Sequence, residues 1–208
     1  MKIYIQIICF TLLLTSCKKW LDVKPESQVS KDELFSTPAG FEEAMNGVYS
    51  RCSEPNLYGK ELSFGTPEVL AQNYAIPGRD PLAYLQTSLY NYNTIDFTTR
   101  KDSIWLGLYN AIANCNLILT NIEKGKSLMT ATDYALIKGE ALGMRAYLHF
   151  DILRLFAPAP ITNPAKPAIP YVTEFSNKVT PLSTVSAALT SILQDLNAAK
   201  ALLKGNDP

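Results

Sequence analysis

The residues able to carry out acid–base or metal chemistry are few and widely spaced in this sequence. His149 is the single histidine, and it lies within a stretch of helix-forming residues. A lone histidine in a helix is more often a hydrogen-bonded structural residue than a general base, and two distant cysteines do not complete a metal site with it. We therefore expect His149 to have a structural role.

Glu140 and Asp151 are the closest match to the paired carboxylates of a glycoside hydrolase. They lie eleven residues apart on one predicted helix, which places them roughly 16 Å apart along its axis. Glycoside hydrolysis requires a carboxylate separation of roughly 5–9.5 Å, so this pair does not fit the reaction. Asp151 and Arg154 are instead expected to pair with each other. The sequence predicts no catalytic residue, metal ion or cofactor, and we do not expect an enzyme.

Aromatic and amide side chains are concentrated in residues 53–100, which also contain four prolines and are predicted to be largely irregular. Sugars have apolar C–H faces that stack on aromatic rings, whereas their hydroxyl groups bond to side-chain amides. The candidate ligand-binding residues are Tyr74, Tyr90, Tyr92 and Asn73. The alternative is that the tyrosines of this segment fill a core beneath a long loop.

The start of the chain has the pattern of an export signal. Lys2 supplies a positive charge, and the apolar run Ile3–Leu14 is too short to span a bilayer. We predict that residues 1–16 are a signal peptide. The alternatives are an ordinary secretory signal followed by a coincidental cysteine, or a short buried strand.

The apolar run ends in Leu14-Thr15-Ser16-Cys17, which resembles the lipobox of bacterial lipoproteins. In a lipobox, small residues precede the cysteine that receives the lipid. Cys17 is therefore the predicted lipidation site, through which the mature protein is anchored to a membrane. Residues 17–36 contain few apolar residues and are predicted to form a lipidated tether.

The charge balance argues against one class of function, and the state of the two remaining cysteines stays open. The chain has 19 basic and 19 acidic residues, and loss of Lys2 with the signal leaves 18 basic ones. This balance argues against nucleic-acid binding, which depends on a basic face. Cys52 and Cys115 occupy apolar positions of predicted helices and are interpreted as small core residues, although their spacing also permits a disulfide. Trp105, on a helix face, is also expected in the core.

Apolar residues at helical spacing predict four helices. These cover residues 38–52, 102–124, 131–156 and a fourth stretch that begins at Ser183 or Thr184 and ends near 203, with a further short helix near 67–74. Thr37 and Thr130 are the predicted N-caps of the first and third helices, and Gly125 is expected to close the second. A short connection between long helices favours an antiparallel pair, and stacked pairs form an α-solenoid of the tetratricopeptide type. The predicted fold of residues 37–208 is mainly α, with a long irregular loop region.

Several segments, in the same order along the chain, resemble signatures of the SusD/RagB family. They are Cys17–Pro25, Phe41–Tyr49, Leu108–Asn116, Gly139–Phe156 and Gln194–Ala199. The resemblance implies a nutrient-binding lipoprotein of the outer membrane, exposed at the cell surface, whose ligand is an oligosaccharide or another nutrient. It also implies a partner, a SusC-like TonB-dependent transporter, on which the protein acts as a lid. Members of the family are far longer, so the chain resembles their N-terminal portion and is expected to lack much of the ligand-binding part.

In that role, polar residues on the outer faces of the second and third helices are expected to be free to contact the transporter. These residues are Lys101, Asn116, Glu123, Lys138 and Arg145. One feature departs from the family pattern, because Lys18 and Lys19 stand where surface-exported lipoproteins often carry acidic residues. The alternative function is that of a helical scaffold lipoprotein, which would mediate protein–protein contacts in the cell envelope and bind no glycan.

Lipidation of Cys17 is directly testable. The Cys17→Ala variant should carry no fatty acid and should leave the membrane fraction, since the thiol that accepts the lipid is gone. Metabolic labelling of cells with a radioactive fatty acid measures this, with the native chain as the control. Equal labelling of the two proteins would contradict the prediction.

Overall fold

The computed structural model describes residues 30–81 and 83–205. Cys17, the signal peptide at residues 1–16 and most of the tether at 17–36 lie outside the described residues. The predictions made for them therefore stay predictions.

Helices dominate the described part of the chain. They are α1 (Lys31–Leu34), α2 (Pro38–Cys52), α3 (Thr66–Leu70), α4 (Leu85–Ser88), α5 (Ile95–Gly125), α6 (Ala131–Phe156) and α7 (Val185–Leu203). A π-helical turn, Glu61–Gly65, precedes α3, and a 3₁₀ turn, Lys126–Leu128, follows α5. The described residues form no β-strand, and a single isolated antiparallel bridge joins Pro167 to Thr184. The predicted mainly α fold is confirmed.

Threonine caps determine where three of the four long helices begin. The hydroxyls of Thr37, Thr130 and Thr184 each accept a hydrogen bond from the backbone amide three residues later, at 3.1–3.2 Å. Such a bond satisfies one of the donors left unpaired at a helix N-terminus. The predicted starts of α2, α6 and α7 are therefore confirmed within two residues.

Helix α5 begins at Ile95, and the predicted start at Asp102 is wrong. The first two turns lack an apolar face, since Ile95 is 77% exposed, and apolar periodicity therefore does not detect them. Contacts with the preceding loop hold them instead. The Phe97 ring lies 4.8 Å from that of Tyr92, and Arg100 pairs with Glu61.

The core lies where α2, α5, α6 and α7 meet. Helix α6 packs against both α5 and α7, and α2 packs against α5. The short turn between α5 and α6 makes them an antiparallel hairpin. The largest fully buried side chains include Phe41, Leu108, Ile112, Leu148 and Ile152. Trp105 packs against this core but is only partly buried, so its assignment to the core was too strong.

Helix α5 ends at Gly125, as predicted, but the glycine is needed there for packing. Its φ of −81° is an ordinary right-handed value, so it is not a left-handed helix cap. A Cβ atom at this position would lie 2.5 Å from Cζ of Phe41. Glycine is therefore required because the Phe41 ring packs directly on the last turn of α5.

A buried polar network joins α5, α6, α7 and the segment at residues 169–172. The Arg145 guanidinium donates two hydrogen bonds to the Asp195 carboxylate, both 2.7 Å long, and a third to Oδ1 of Asn116 at 2.9 Å. Asn116 donates through Nδ2 to the carbonyl of Val172 at 2.9 Å. The Tyr171 hydroxyl completes the network by donating to Asp195 at 2.5 Å.

This network corrects two predictions about the outer helix faces. Asn116 is fully buried and Arg145 is 8% exposed, so neither is free to meet a partner. Glu123 is exposed and Lys138 is partly exposed, and these two form an ion pair with each other beside the turn of the hairpin. Lys101 is partly exposed and lies 3.0 Å from Asp102.

His149 has the structural role that was predicted for it. Its Nε2 accepts a hydrogen bond from the backbone amide of Val172 at 3.0 Å, and its Nδ1 lies 2.8 Å from the carbonyl of Arg145. The ring is therefore neutral and carries its proton on Nδ1, which donates to that carbonyl. Burial lowers the pKa of His149 from 6.5 to about 4. Its ring also stacks on Tyr171, with centroids 4.1 Å apart.

The core assignment of α6 is tested by a matched pair of substitutions. Leu148→Asp should lower the free energy of unfolding by more than about 3 kcal/mol, because it places an unpaired carboxylate at a fully buried position. Thermal melting should show a fall in Tm of about 10 °C. Leu106→Asp is the control, since Leu106 is 67% exposed on α5 and should tolerate the change. Equal melting temperatures for the two variants would contradict the packing.

The neutral state of His149 predicts a pH dependence of stability. Because the folded pKa lies below the unfolded value of 6.5, the stabilisation is fully present above pH 6.5 and is lost as the pH falls toward 4. The free energy of unfolding should fall by about 2 kcal/mol between pH 7 and pH 5. Urea titrations at both values measure it, and His149→Gln should remove most of the change. An unaltered pH dependence in that variant would rule out His149 as its source.

Candidate functional site

A buried carboxylate anchors the loop that carries the candidate ligand-binding residues. Glu61, in the π-helical turn, is 6% exposed and accepts hydrogen bonds of 2.8 Å from the hydroxyls of Thr66 and Tyr84. The Lys60 ammonium lies 3.2 Å from the same carboxylate, and Arg100 Nε lies 3.4 Å from it. The negative charge is thereby balanced inside the protein, as a buried carboxylate requires.

Arg100 extends this anchor from α5 to the loop. Its guanidinium lies 4.2 Å from the centroid of the Tyr84 ring and donates to Thr87 Oγ1 at 3.3 Å. Burial and the hydrogen bond to Glu61 raise the pKa of Tyr84 above its ordinary value, so the phenol stays protonated and donates. The residues around α4 are therefore fixed against α5 by the Arg100 guanidinium, the Glu61 carboxylate and the Tyr84 phenol.

Two of the predicted ligand-binding residues lie side by side. The rings of Tyr90 and Tyr92 are 6.4 Å apart in an edge-on arrangement, and Tyr92 lies 4.8 Å from Phe97. We call these three residues the aromatic surface. Tyr90 is 50% exposed and Tyr92 is 47% exposed, so about half of each side chain is open to solvent. The Tyr90 hydroxyl donates to the carbonyl of Leu70 at 3.0 Å, which fixes its position.

Tyr74 and Asn73 lie on a neighbouring stretch, and within the described residues no hydrogen bond or ring contact joins them to Tyr90 or Tyr92. Asn73 is exposed and donates to the Glu68 carboxylate at 2.5 Å. Tyr74 is 44% exposed. The alternative interpretation, in which the tyrosines fill a core, applies to Tyr84, which is only 5% exposed.

A polar cleft of about 400 Å³ opens beside Arg100. Its lining includes Asn56, Lys60, Asp96 and Ser103, and Asn56 donates to the Ser103 carbonyl at 3.1 Å. Sequence reasoning missed this cleft because it assigned the first turns of α5 to irregular structure. Thr94 followed by an acidic residue in the first turn is the helix-start signal that would have revealed it.

The remaining reactive side chains are held in structural contacts. Cys52 and Cys115 are free thiols in the core, and burial raises their pKa values to about 11 and about 12. The predicted pairing of Asp151 with Arg154 is confirmed at 2.6 Å, and Tyr58 also donates to Asp151, at 2.7 Å. Within residues 30–81 and 83–205, no group of three or more His, Cys, Asp or Glu residues is placed to hold a metal ion. Of the helices that the structure describes, none is long and apolar enough to cross a bilayer.

Comparison with known proteins identifies relatives of this chain. Residues 19–207 match the SusD-like family described as "starch-binding associating with outer membrane". SusD-like protein P38 of Formosa agariphila is 26% identical over 188 residues, which cover 90% of this chain and 34% of that protein. SusD-like protein P2 of the same organism is 24% identical over 162 residues, or 76% of this chain and 30% of that protein. The chain thus spans about a third of the length of these curated relatives.

Solved structures share the fold. A SusD superfamily protein from Bacteroides thetaiotaomicron superposes with a TM-score of 0.64 at 24% identity, over 80% of this chain and 37% of that one. A SusD-like carbohydrate binding protein from Bacteroides vulgatus gives a TM-score of 0.64 at 22% identity, over 80% of this chain and 36% of that one. With a family match over nearly its whole length and the same helical architecture in these structures, the chain belongs to the SusD-like family.

Proposed function

We propose that this protein is a lipid-anchored, surface-exposed protein of the outer membrane that binds carbohydrate and delivers it to a SusC-like TonB-dependent transporter. The observation that carries the proposal is the match of residues 19–207 to a family described by starch binding and outer-membrane association. The role is one of binding, without catalysis.

The aromatic surface supplies the chemistry that a carbohydrate ligand needs. Tyr90 and Tyr92 each leave about half of the side chain open to solvent, held in place by contacts to Leu70 and Phe97. Fixed aromatic rings stack on the C–H faces of a sugar with little loss of side-chain entropy. Tyr74 and the amide of Asn73 are the further ligand-binding residues of the proposal.

The turn end of the α5–α6 hairpin is the surface that we assign to the transporter. Glu123, Tyr134 and Lys138 form a cluster there, in which Glu123 accepts hydrogen bonds from the other two at 2.7 and 2.5 Å. Lys126 lies 4.8 Å from the Tyr134 ring. Charged residues on a polar rim steer association and set specificity, as a lid that opens and closes on a partner requires.

Ligand binding at the aromatic surface is tested by a double substitution. Tyr90→Ala combined with Tyr92→Ala should weaken binding of a neutral oligosaccharide by about thirtyfold, because each lost ring removes about 1 kcal/mol of stacking. Nuclear magnetic resonance titration of the full-length chain in detergent, with millimolar maltoheptaose, measures the affinity. Tyr147→Ala is the control, since Tyr147 is 47% exposed on α6 and its ring packs against Tyr58, which is not part of the aromatic surface. Equal affinity in the native chain and the double variant would contradict the assignment.

The transporter role is tested by affinity purification of the lipoprotein from its native membranes after cross-linking. A TonB-dependent barrel should co-purify, and Lys138→Glu should reduce its recovery severalfold by reversing a charge at the hairpin end. Lys200→Glu, on the exposed side of α7, is the matched control. If no barrel is recovered, the transporter role fails and the protein is a scaffold lipoprotein of the envelope.

A further inference from the structure

A second cleft, distinct from the aromatic surface, lies between α5 and the segment that follows α6. Its volume is about 450 Å³, within the range of small-molecule sites. Trp105, Tyr109, Pro170 and Val172 line it on one side, and residues 174–180 line it on the other. We call it the Trp105 cleft. None of the residues predicted to bind ligand contributes to its lining.

The floor of the Trp105 cleft is a fixed aromatic platform. The rings of Trp105 and Tyr109, one helical turn apart, have centroids separated by 4.8 Å, and Phe156 meets the Trp105 ring edge-on at 5.0 Å. The Tyr109 hydroxyl donates to the carbonyl of Pro170 at 2.8 Å. Neither ring must be ordered on binding, so the entropic cost of using the platform is low.

The opposite wall is a loop whose base is firmly held. Across its base, the backbone amide of Ser183 donates a hydrogen bond to the carbonyl of Ile169 at 2.9 Å. The backbone amide of Val172 donates to Nε2 of the His149 ring. Beyond this base, Phe175 is 54% exposed and Val179 is 95% exposed. Two apolar side chains thus stand open to solvent beside the aromatic floor.

Polar groups in the Trp105 cleft have hydrogen-bonding capacity that the described residues do not use. Within the part of the chain that the structure describes, the side chains of Glu174, Asn177 and Lys178 make no hydrogen bond or ion pair, and the indole N–H of Trp105 has no acceptor. The cleft therefore offers a carboxylate, an amide, an ammonium group and an indole donor around aromatic rings. Its two formal charges cancel.

We propose that the Trp105 cleft is a second carbohydrate site that binds one or two neutral sugar rings, an inference that rests on the proposed carbohydrate-binding function for its class of ligand. A sugar satisfies both halves of the lining, since its C–H face covers Trp105 and its hydroxyls bond to Glu174, Asn177 and Lys178. A wholly apolar ligand would bury those polar groups without partners. An anionic ligand would be repelled by Glu174, which opposes its attraction to Lys178.

The indole N–H resonance of Trp105 reports directly on this cleft. The chain has one other tryptophan, Trp20. The Trp20→Phe variant shows which of the two indole N–H signals belongs to Trp105. The full-length chain in detergent is titrated with millimolar maltoheptaose, cellohexaose and mannohexaose. The Trp105 signal should shift saturably with at least one of these probes. Phe175→Ala and Asn177→Ala should each weaken that binding by about fivefold, through loss of stacking and of a hydrogen bond.

Ile161→Ala is the control for the Trp105 cleft, because Ile161 is 94% exposed in the neighbouring connection and does not line it. Phe175 and Asn177 are exposed, so their substitution leaves the core intact. A fixed Trp105 signal while the Tyr90 and Tyr92 rings respond would overturn this second site and leave the proposed function standing. No response anywhere would also overturn the second site, and recovery of the transporter barrel decides the proposed function separately. A Trp105 shift that both loop variants retain would also overturn the site as proposed, because its loop wall would contribute nothing to binding.

Discussion

The bidentate ion pair between Arg145 and Asp195 is the constraint around which the helical core is arranged. Removing both charges from water is costly, and their mutual attraction offsets that cost only when the geometry is good and the remaining donors and acceptors are satisfied. Here Asn116 takes the third guanidinium bond, and Tyr171 donates to the carboxylate. Three long helices and one irregular segment must therefore hold their relative positions for the pair to be stable.

A buried charge with several partners also orders the other irregular region, the loop between α2 and α5. Glu61 is buried with Arg100, Thr66 and Tyr84, and together they fasten the loop after α2 to the first turns of α5. Neither region forms a β-sheet in the described residues, so its backbone cannot be ordered by a ladder of hydrogen bonds. A buried charge with several directed partners replaces that ladder and fixes the loop through side chains.

This arrangement links packing to the proposed function. The Glu61 cluster positions the residues around α4, from which the chain continues to Tyr90 and Tyr92. The Arg145 cluster and His149 position Val172, from which the chain continues into the wall of the Trp105 cleft. Both candidate carbohydrate surfaces are thus loops whose bases are tied to the rigid helical core, which is how proteins commonly present binding residues. The buried clusters therefore pre-organise surfaces that they do not themselves form.

The sequence by itself determined the features that depend on local pattern. Apolar spacing and threonine caps predicted α2, α6 and α7 closely, and the Asp151–Arg154 pair followed from helical spacing. The family resemblance also depended on contiguous segments, so it was visible before any coordinates. Each of these properties is encoded within a few neighbouring residues, where the period of the helix and the chemistry of a cap are decisive.

Only the tertiary structure decided which polar residues are buried and which loop residues meet. Asn116 and Arg145 resemble surface residues in the sequence, yet their partners lie 56 and 50 residues away, at Val172 and Asp195. The first turns of α5 are likewise stabilised by a loop and not by an apolar face of their own. The Trp105 cleft joins α5 to residues some 70 positions later. Burial of a polar group depends on partners that the fold brings from distant positions, and no local pattern specifies them.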